Sequence, residues 1–282
     1  MKTRVALFGA AGKMGTRISA KLRDDVAYEV MYVEAGEAGQ ARLRQRGDTP
    51  SAPDEAAHAA DIVVLAVPDT LIGKVAGEVV PQLRRGAMVI CLDPAAPYSG
   101  ELPERADIAY FVTHPCHPPI VNDEETMEAR RDFFGGTAKQ NIVCALMQGS
   151  EEDYARGVAL ARRMFAPVMN AHRVTVAQMA VLEPAMAETV VLTCMVVMRE
   201  ALDEAIRAGV PEAAARDFIL GHMNVNLGIL FGFLDAQVSD GAKMAVERGK
   251  KQLFRDDWKK VFEIENVIQE VKAIVAGRGA IK

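Results

Sequence analysis

Cysteine is scarce in this chain. The four residues Cys91, Cys116, Cys144 and Cys194 stand far apart in 282, and no Cys-x-x-Cys pair occurs. A disulfide framework needs a denser pattern and a zinc knuckle a more regular one. Reduced thiols in a cytoplasmic protein are therefore expected. Charge of one sign is also missing: the net charge is −5, with acids and bases mixed along the chain. No basic stripe on the scale of a nucleic-acid face and no polybasic tail is present, so neither nucleic acid nor a membrane surface is an expected partner. Long apolar runs are absent too. The apolar run after Met1-Lys2-Thr3-Arg4 is too short for a secretory leader. Val190–Met198 is too short to span a bilayer, is bracketed by Glu188 and Arg199, and reads as a buried helix. There is no internal repeat and no low-complexity tract.

What is present is apolar material: half the residues are hydrophobic, enough for one large domain or two ordinary ones. The first part alternates. Arg4–Phe8 reads as a strand, Lys13–Leu22 as a helix, Glu29–Val33 as a strand. Ile62–Ala66 is aliphatic throughout, as a strand buried on both faces should be. A helix follows with Leu71, Val75 and Val79 on one face, and Val89–Leu92, Ile108–Val112 and Ile142–Leu146 complete a sheet. The class is α/β: an N-terminal Rossmann domain with a doubly wound parallel sheet, residues 1–150, then an all-helical domain, residues 151–282. Helices are predicted over Asp153–Phe165, Val174–Ala208, Glu212–Phe233, Gly241–Gln252 and Trp258–Val275, with Gly209-Val210-Pro211 as a stop. The helix holding Val190–Met198 is apolar around much of its circumference, so it is buried centrally or shared with a second subunit, and a homodimer is expected.

Gly9, Gly12 and Gly15 form a Gly-x-x-Gly-x-x-Gly turn between a strand and a helix. Glycine lets a diphosphate approach the backbone, and the helix N-terminus offers free N–H groups. The turn Gly9-Ala10-Ala11-Gly12-Lys13-Met14-Gly15 is thus read as a dinucleotide site, with Ala11, Lys13 and Met14 among its expected contacts, the alternative being an ordinary βαβ unit with a glycine turn. Glu34 ends the second strand, 19 residues past Gly15. A carboxylate there accepts from both ribose hydroxyls and repels a 2′-phosphate, so NAD is favoured over NADP. Val67, Pro68 and Asp69 after the next strand, and Asp93 after the one following, stand where the nicotinamide end should rest. Each could equally be a helix cap or a turn.

Thr113-His114-Pro115-Cys116-His117-Pro118-Pro119 holds two of the five histidines and three prolines at a strand end. Imidazole can move a proton near neutral pH or bind a divalent metal. The alternative is a stiff loop whose histidines cap backbone groups. Cys116 has no activating partner in view and reads as structural. Glu183 and Glu188 open the apolar helix, where a carboxylate needs a cation, a hydroxyl or an arginine. Five apart, they do not share one α-helical face as an i, i+4 pair would. His222, within another apolar helix, either lines a cleft or is a satisfied core group.

This arrangement resembles the superfamily of 6-phosphogluconate dehydrogenase, 3-hydroxyisobutyrate dehydrogenase, prephenate dehydrogenase and ketol-acid reductoisomerase, in which a Rossmann domain precedes a helical domain that often interlocks two subunits. Glu200-Ala201-Leu202-Asp203-Glu204-Ala205-Ile206-Arg207-Ala208-Gly209 is similar to the end of the long helix of the hydroxyacid dehydrogenases. Counting back, their lysine position falls on Pro184 and their asparagine position on Glu188, so the usual lysine chemistry is missing. Thr113–Pro119 together with Phe133-Phe134-Gly135-Gly136-Thr137-Ala138-Lys139-Gln140 resembles the D-apionate oxidoisomerases.

That resemblance implies NAD-linked oxidation of a branched sugar acid, then migration of a hydroxymethyl group. Oxidising the hydroxyl next to the carboxylate makes a 2-oxo acid beside a tertiary alcohol, and a cation across the two oxygens would promote the shift. The expected catalytic residues are His114, Glu188 and His222, with His117 and Glu188 as ligands of a divalent metal. The competing readings are a plain NAD-dependent hydroxy-acid dehydrogenase and a non-catalytic NAD-binding sensor.

Overall fold

The structure is a computed structural model that describes residues 2–277. Two units divide the chain: one holds the N-terminal part through Pro184 together with the segment from Val267 on, the other Ala185–Asn266.

The first unit contains β1 (Thr3–Phe8), α1 (Lys13–Leu22), β2 (Tyr28–Val33), α2 (Glu37–Gln45), α3 (Pro53–Ala59), β3 (Ile62–Leu65) and α4 (Asp69–Val79). It continues through β4 (Met88–Cys91), α5 (Ala95–Ser99), β5 (Ala109–Pro115), α6 (Met127–Arg130), β6 (Gln140–Gln148), α7 (Glu151–Met164) and β7 (Val168–Arg173). The seven strands lie in the order β2-β1-β3-β4-β5-β6-β7. The first five are mutually parallel; β6 is antiparallel to β5, and β7 is parallel to β6. This is the doubly wound Rossmann sheet expected from the aliphatic runs.

Alternation along each strand explains the layers. Ala6, Val63, Val89 and Val112 face a cluster completed by Ile72 and Ala76 of α4. Val5, Ile62, Ile90 and Phe111 face the opposite cluster, with Ile18 of α1 and Leu160 of α7. Helices cover both faces, so the central strands are apolar at every position rather than at every second one.

Three sequence expectations change. In α4 the inward residues are Ile72, Ala76 and Val79, while Leu71 points outward at 45% exposure. The sheet unit runs well beyond the expected boundary at residue 150. Ser150 is the N-cap of α7, closing a capping box with Asp153, and β7 then joins the sheet beside β6. Trp258–Val275 is also not one helix: a 3₁₀ turn (Trp258–Phe262) precedes α12 (Ile264–Val275).

After β7 one continuous helical run spans Val176–Arg207. It comprises α8 (Val176–Ala180), a π-helical stretch (Val181–Leu192) and α9 (Thr193–Arg207). Pro184 lies inside the π-helical stretch, where a missing N–H breaks the α register. By length and composition this run is apolar enough to cross a membrane. The second unit also holds α10 (Glu212–Leu230) and α11 (Asp240–Leu253). Many of its large apolar side chains are exposed in the single chain: Leu192 is 56% exposed, Val196 49% and Phe218 68%. The buried-helix reading of Val190–Met198 therefore does not hold within the single chain.

Gly157 of α7 tests the sheet packing. Glycine to alanine in an open helix stabilises by about 1 kcal/mol. Here a Cβ would stand 2.6 Å from the Phe111 ring, which is fully buried. Gly157→Ala is expected to destabilise by about 1–3 kcal/mol, read as a lower urea midpoint with an unchanged slope. A raised midpoint would contradict this packing.

Candidate functional site

The glycine turn forms as the sequence predicts. Gly9 has φ +78°, and a Cβ on it would overlap the carbonyl oxygen of Ala66 at the end of β3. A Cβ on Gly15 would overlap the Gly9 carbonyl and stand 2.7 Å from Ala10 Cα. Gly12 is the N-cap of α1 and has no side chain to satisfy the first N–H groups. Those donors are presented beside the helix's positive end. Lys13 is the first residue of α1, and Met14 Sδ receives Arg17 Nη1 at 3.5 Å. Glu34 folds back from the end of β2, and its Oε1 accepts from the Ala11 N–H at 2.6 Å. The carboxylate expected to take the ribose hydroxyls thus stands against the turn itself.

Val67, Pro68 and Asp69 follow β3, with Pro68 as the N-cap of α4 and Asp69 its first residue. Asp93 follows β4, and its Oδ1 accepts from the Ala95 N–H at 2.7 Å. Both acids are costly to ionise. Burial raises the Asp69 carboxyl, and Glu183 adds to it. Burial and the Asp69 charge push Asp93 up to about 7.

His114 lies near the end of β5, half-buried, and its Nδ1 donates to the Leu92 carbonyl at 2.8 Å. The carbonyl can only accept, so Nδ1 carries the proton and Nε2 is the atom presented to the site. Nε2 lies 3.3 Å from Glu183 Oε2. Asp93, His114 and Glu183 each offer a ligand atom, all within 4.8 Å of one another. Among the described residues these His, Asp and Glu side chains lie close enough together that they could share one metal ion.

His117 is placed differently. It has φ +62°, its Nδ1 donates to the Phe134 carbonyl at 3.1 Å, and its ring stacks on Phe134 at 5.3 Å. Burial lowers its pKa, with the charges of His114 and Arg17 contributing. The loop-capping alternative is therefore correct for one nitrogen of each histidine, while the other stays available. The His114 and His117 ring centroids are 6.1 Å apart.

Glu188 and His222 belong to the second unit. His222 is exposed, donates from Nδ1 to its own helix at Phe218 O (2.8 Å), and stacks on Phe218 at 4.0 Å. His117 and Glu188, expected together as ligands, lie in different units. Glu183, rather than either of them, is clustered with Asp93 and His114. Sequence reading judged Glu183 and Glu188 by α-helical spacing. In a π-helix hydrogen bonds join residues five apart, so such residues stack along one face, and π segments occur frequently at functional sites.

Two family descriptions match the chain. Residues 4–96 match "NADP oxidoreductase coenzyme F420-dependent" and residues 122–275 match "Phosphogluconate dehydrogenase (decarboxylating) C-term". A D-apionate oxidoisomerase of Rhizobium rhizogenes is 53% identical over 274 residues, 96% of this chain and 99% of the relative. A solved structure described as a semialdehyde dehydrogenase NAD-binding protein from Cupriavidus necator, in complex with calcium and NAD, superposes with TM-score 0.94 at 50% identity, covering 97% of this chain and 100% of that one. An NADH-preferring ketol-acid reductoisomerase from an uncultured archaean shares the fold, with TM-score 0.68 at 17% identity, 99% of this chain and 83% of that one. The glycine turn, the strand-end histidines and these near full-length matches agree: the chain belongs to the D-apionate oxidoisomerase family.

Proposed function

We propose that this chain is an NAD-dependent oxidoisomerase of branched sugar acids of the D-apionate type, oxidising a secondary hydroxyl and then moving a hydroxymethyl group to the new carbonyl carbon. The observation that carries this reading is the meeting of His114 Nε2, Glu183 and Asp93 at the strand ends that also hold the glycine turn. A plain nucleotide sensor needs no such group. Relatives support it: the protein 53% identical bears the oxidoisomerase name, and the solved structure 50% identical holds NAD.

When bound, NAD accepts the hydride. The glycine turn and Lys13 receive its diphosphate, Glu34 takes the adenosine ribose, and Val67, Pro68, Asp69 and Asp93 border the nicotinamide end. A divalent cation fits the donor set: His114 is fixed with Nε2 outward, that atom faces a carboxylate oxygen, and Asp93 adds a third donor. Such a cation would polarise the 2-oxo group and acidify the neighbouring tertiary alcohol. The solved relative that holds NAD also holds calcium. In this arrangement His114, Glu183 and Asp93 are ligands, and proton transfer falls to His117, whose Nδ1 is held by Phe134 and whose Nε2 can accept. Glu188 and His222, in the second unit, keep their proposed catalytic roles.

A second copy, rather than lipid, is proposed to cover the apolar side chains of α9 and α10. Glu183 and Glu188 put two carboxylates into the apolar run, which is costly for a helix facing lipid. The four cysteines are free, which suits a cytoplasmic protein.

Three outcomes are expected. Glu34→Ala should weaken NADH binding at least tenfold, the loss of about 1.5–3 kcal/mol of charge-assisted hydrogen bonding, and should narrow the preference over NADPH in a fluorescence titration. Glu183→Gln should keep NADH binding while abolishing calorimetric uptake of Mg2+ or Ca2+ and turnover of D-apionate. Undiminished turnover in that variant, or in a chelated sample, would remove the metal. Sedimentation equilibrium should give the mass of a dimer; a monomer, or recovery in the membrane fraction, would contradict the shared helix.

A further inference from the structure

Helix α1 carries Lys13, Arg17 and Lys21 four residues apart, and its first turn holds no acid. Helix electrostatics disfavours this pattern. Like charges four apart repel, and cations at an N-terminus oppose the dipole. A local rule broken at the phosphate end of a Rossmann helix points to function rather than stability.

The three cations meet one short segment, Phe134–Gly136. Lys13 Nζ lies 4.1 Å and Arg17 Cζ 3.8 Å from the centroid of the Phe134 ring. Arg17 Nη2 also donates to the carbonyls of Phe134 and Gly135, the latter at 2.9 Å. Lys21 Nζ donates to the Gly136 carbonyl at 2.7 Å.

Asp132 gives that segment its shape. Its Oδ1 accepts from the N–H groups of Phe134 (3.1 Å) and Gly135 (2.8 Å). Its Oδ2 accepts from Gly136 (2.6 Å), Thr137 (2.6 Å) and Ala138 (3.0 Å). Burial alone would raise this carboxyl, but the N–H groups of Thr137, Ala138, Gly135 and Phe134 outweigh it and hold it well below the usual carboxylate range. Five successive N–H groups around one carboxylate make an anion nest occupied by the chain's own side chain.

We infer that Asp132–Ala138 is a positioning clamp for the cofactor diphosphate: Asp132 sets the turn, the turn sets Phe134, and the Phe134 ring holds the Lys13 ammonium beside the glycine turn, where it meets a phosphate oxygen. The clamp rests on the reading that NAD occupies that turn. A free lysine side chain loses rotamer freedom when it binds a ligand, and one already seated on an aromatic face loses less. Lys13 touches the cofactor; Asp132 and Phe134 act through it. The Phe134 carbonyl orients His117 in the same way, so one turn serves both the phosphate end and the strand-end histidines.

Calorimetric titration of the full-length protein with ADP-ribose and with adenosine tests this. Both ligands have the ribose that Glu34 would hold, but only ADP-ribose has the diphosphate. Phe134→Leu is expected to weaken ADP-ribose binding about three- to tenfold and leave adenosine binding unchanged. Asp132→Asn should act in the same direction. The double variant Lys13→Ala/Phe134→Leu should bind ADP-ribose no more weakly than Lys13→Ala alone, because Phe134 works through Lys13. Should Asp132→Asn fail to fold, Phe134→Leu and the cycle still decide. Binding of ADP-ribose by Phe134→Leu within twofold of the unchanged protein, additive losses in the cycle, or an equal loss of adenosine would overturn the clamp. If the unchanged protein took up neither ligand, the NAD reading itself would fall.

Discussion

The closest constraint in the molecule is the contact of backbone with backbone at the first turn. Gly15 lies so near the Gly9 carbonyl, and Gly9 so near the Ala66 carbonyl, that neither position has room for a side chain. The start of α1 is thereby locked to the ends of β1 and β3. Glu34, reaching back from β2 to the Ala11 N–H, ties in a third strand end. What this brings together is an array of free helix donors, a lysine and a carboxylate, all at the carboxyl edge of a parallel sheet, where a doubly wound fold places its ligand.

The proposed reaction centre lies at the same edge. Asp69 follows β3, Asp93 follows β4 and His114 lies in the last turn of pairing of β5, while Glu183 comes from the helix beyond the sheet. Burial sets the chemistry. Lost hydration is the main reason that Asp69 and Asp93 resist ionisation, and neighbouring carboxylates add to it. A cation, as proposed, would lower that cost and would polarise the substrate's carbonyl. The same logic runs through α1, where Phe134 and the Asp132 turn offset three cations that would otherwise repel one another. Both regions set aside local stability, and both lie where the proposed substrate and cofactor would bind.

Much of the fold was legible because its signals are local. Lys13–Leu22 is a helix over the very residues predicted, since a glycine turn starts it and its apolar spacing is regular. Ile62–Leu65 could hardly be anything but a central strand. The edge strand β7, with Asn170, His172 and Arg173 among six residues, has no apolar run to announce it and pairs only with β6. The domain boundary was missed for the same reason. The site was half legible. Residue types at strand ends pointed to His114, Asp93 and Glu34, but the pairing of His114 with Glu183 joins positions 69 residues apart. Reading the long helix at α-helical spacing hid the π-helical register, so the clustering of Glu183 with His114 and Asp93 was not visible in the sequence. The Asp132 turn did have a local signal, an acid followed by Phe-Phe-Gly-Gly, yet only the structure shows which cations it covers.

The most direct test of the central claim, that one site both oxidises and rearranges its substrate, is to incubate the purified protein with NAD and D-apionate carrying 13C in a hydroxymethyl carbon, following NADH by absorbance and product by NMR. The account predicts one NADH per molecule consumed and a 3-oxo acid with one hydroxymethyl group on C2 and the other on the C3 carbonyl, the label standing on either. An unrearranged 2-oxo acid, or product without NADH, would contradict it.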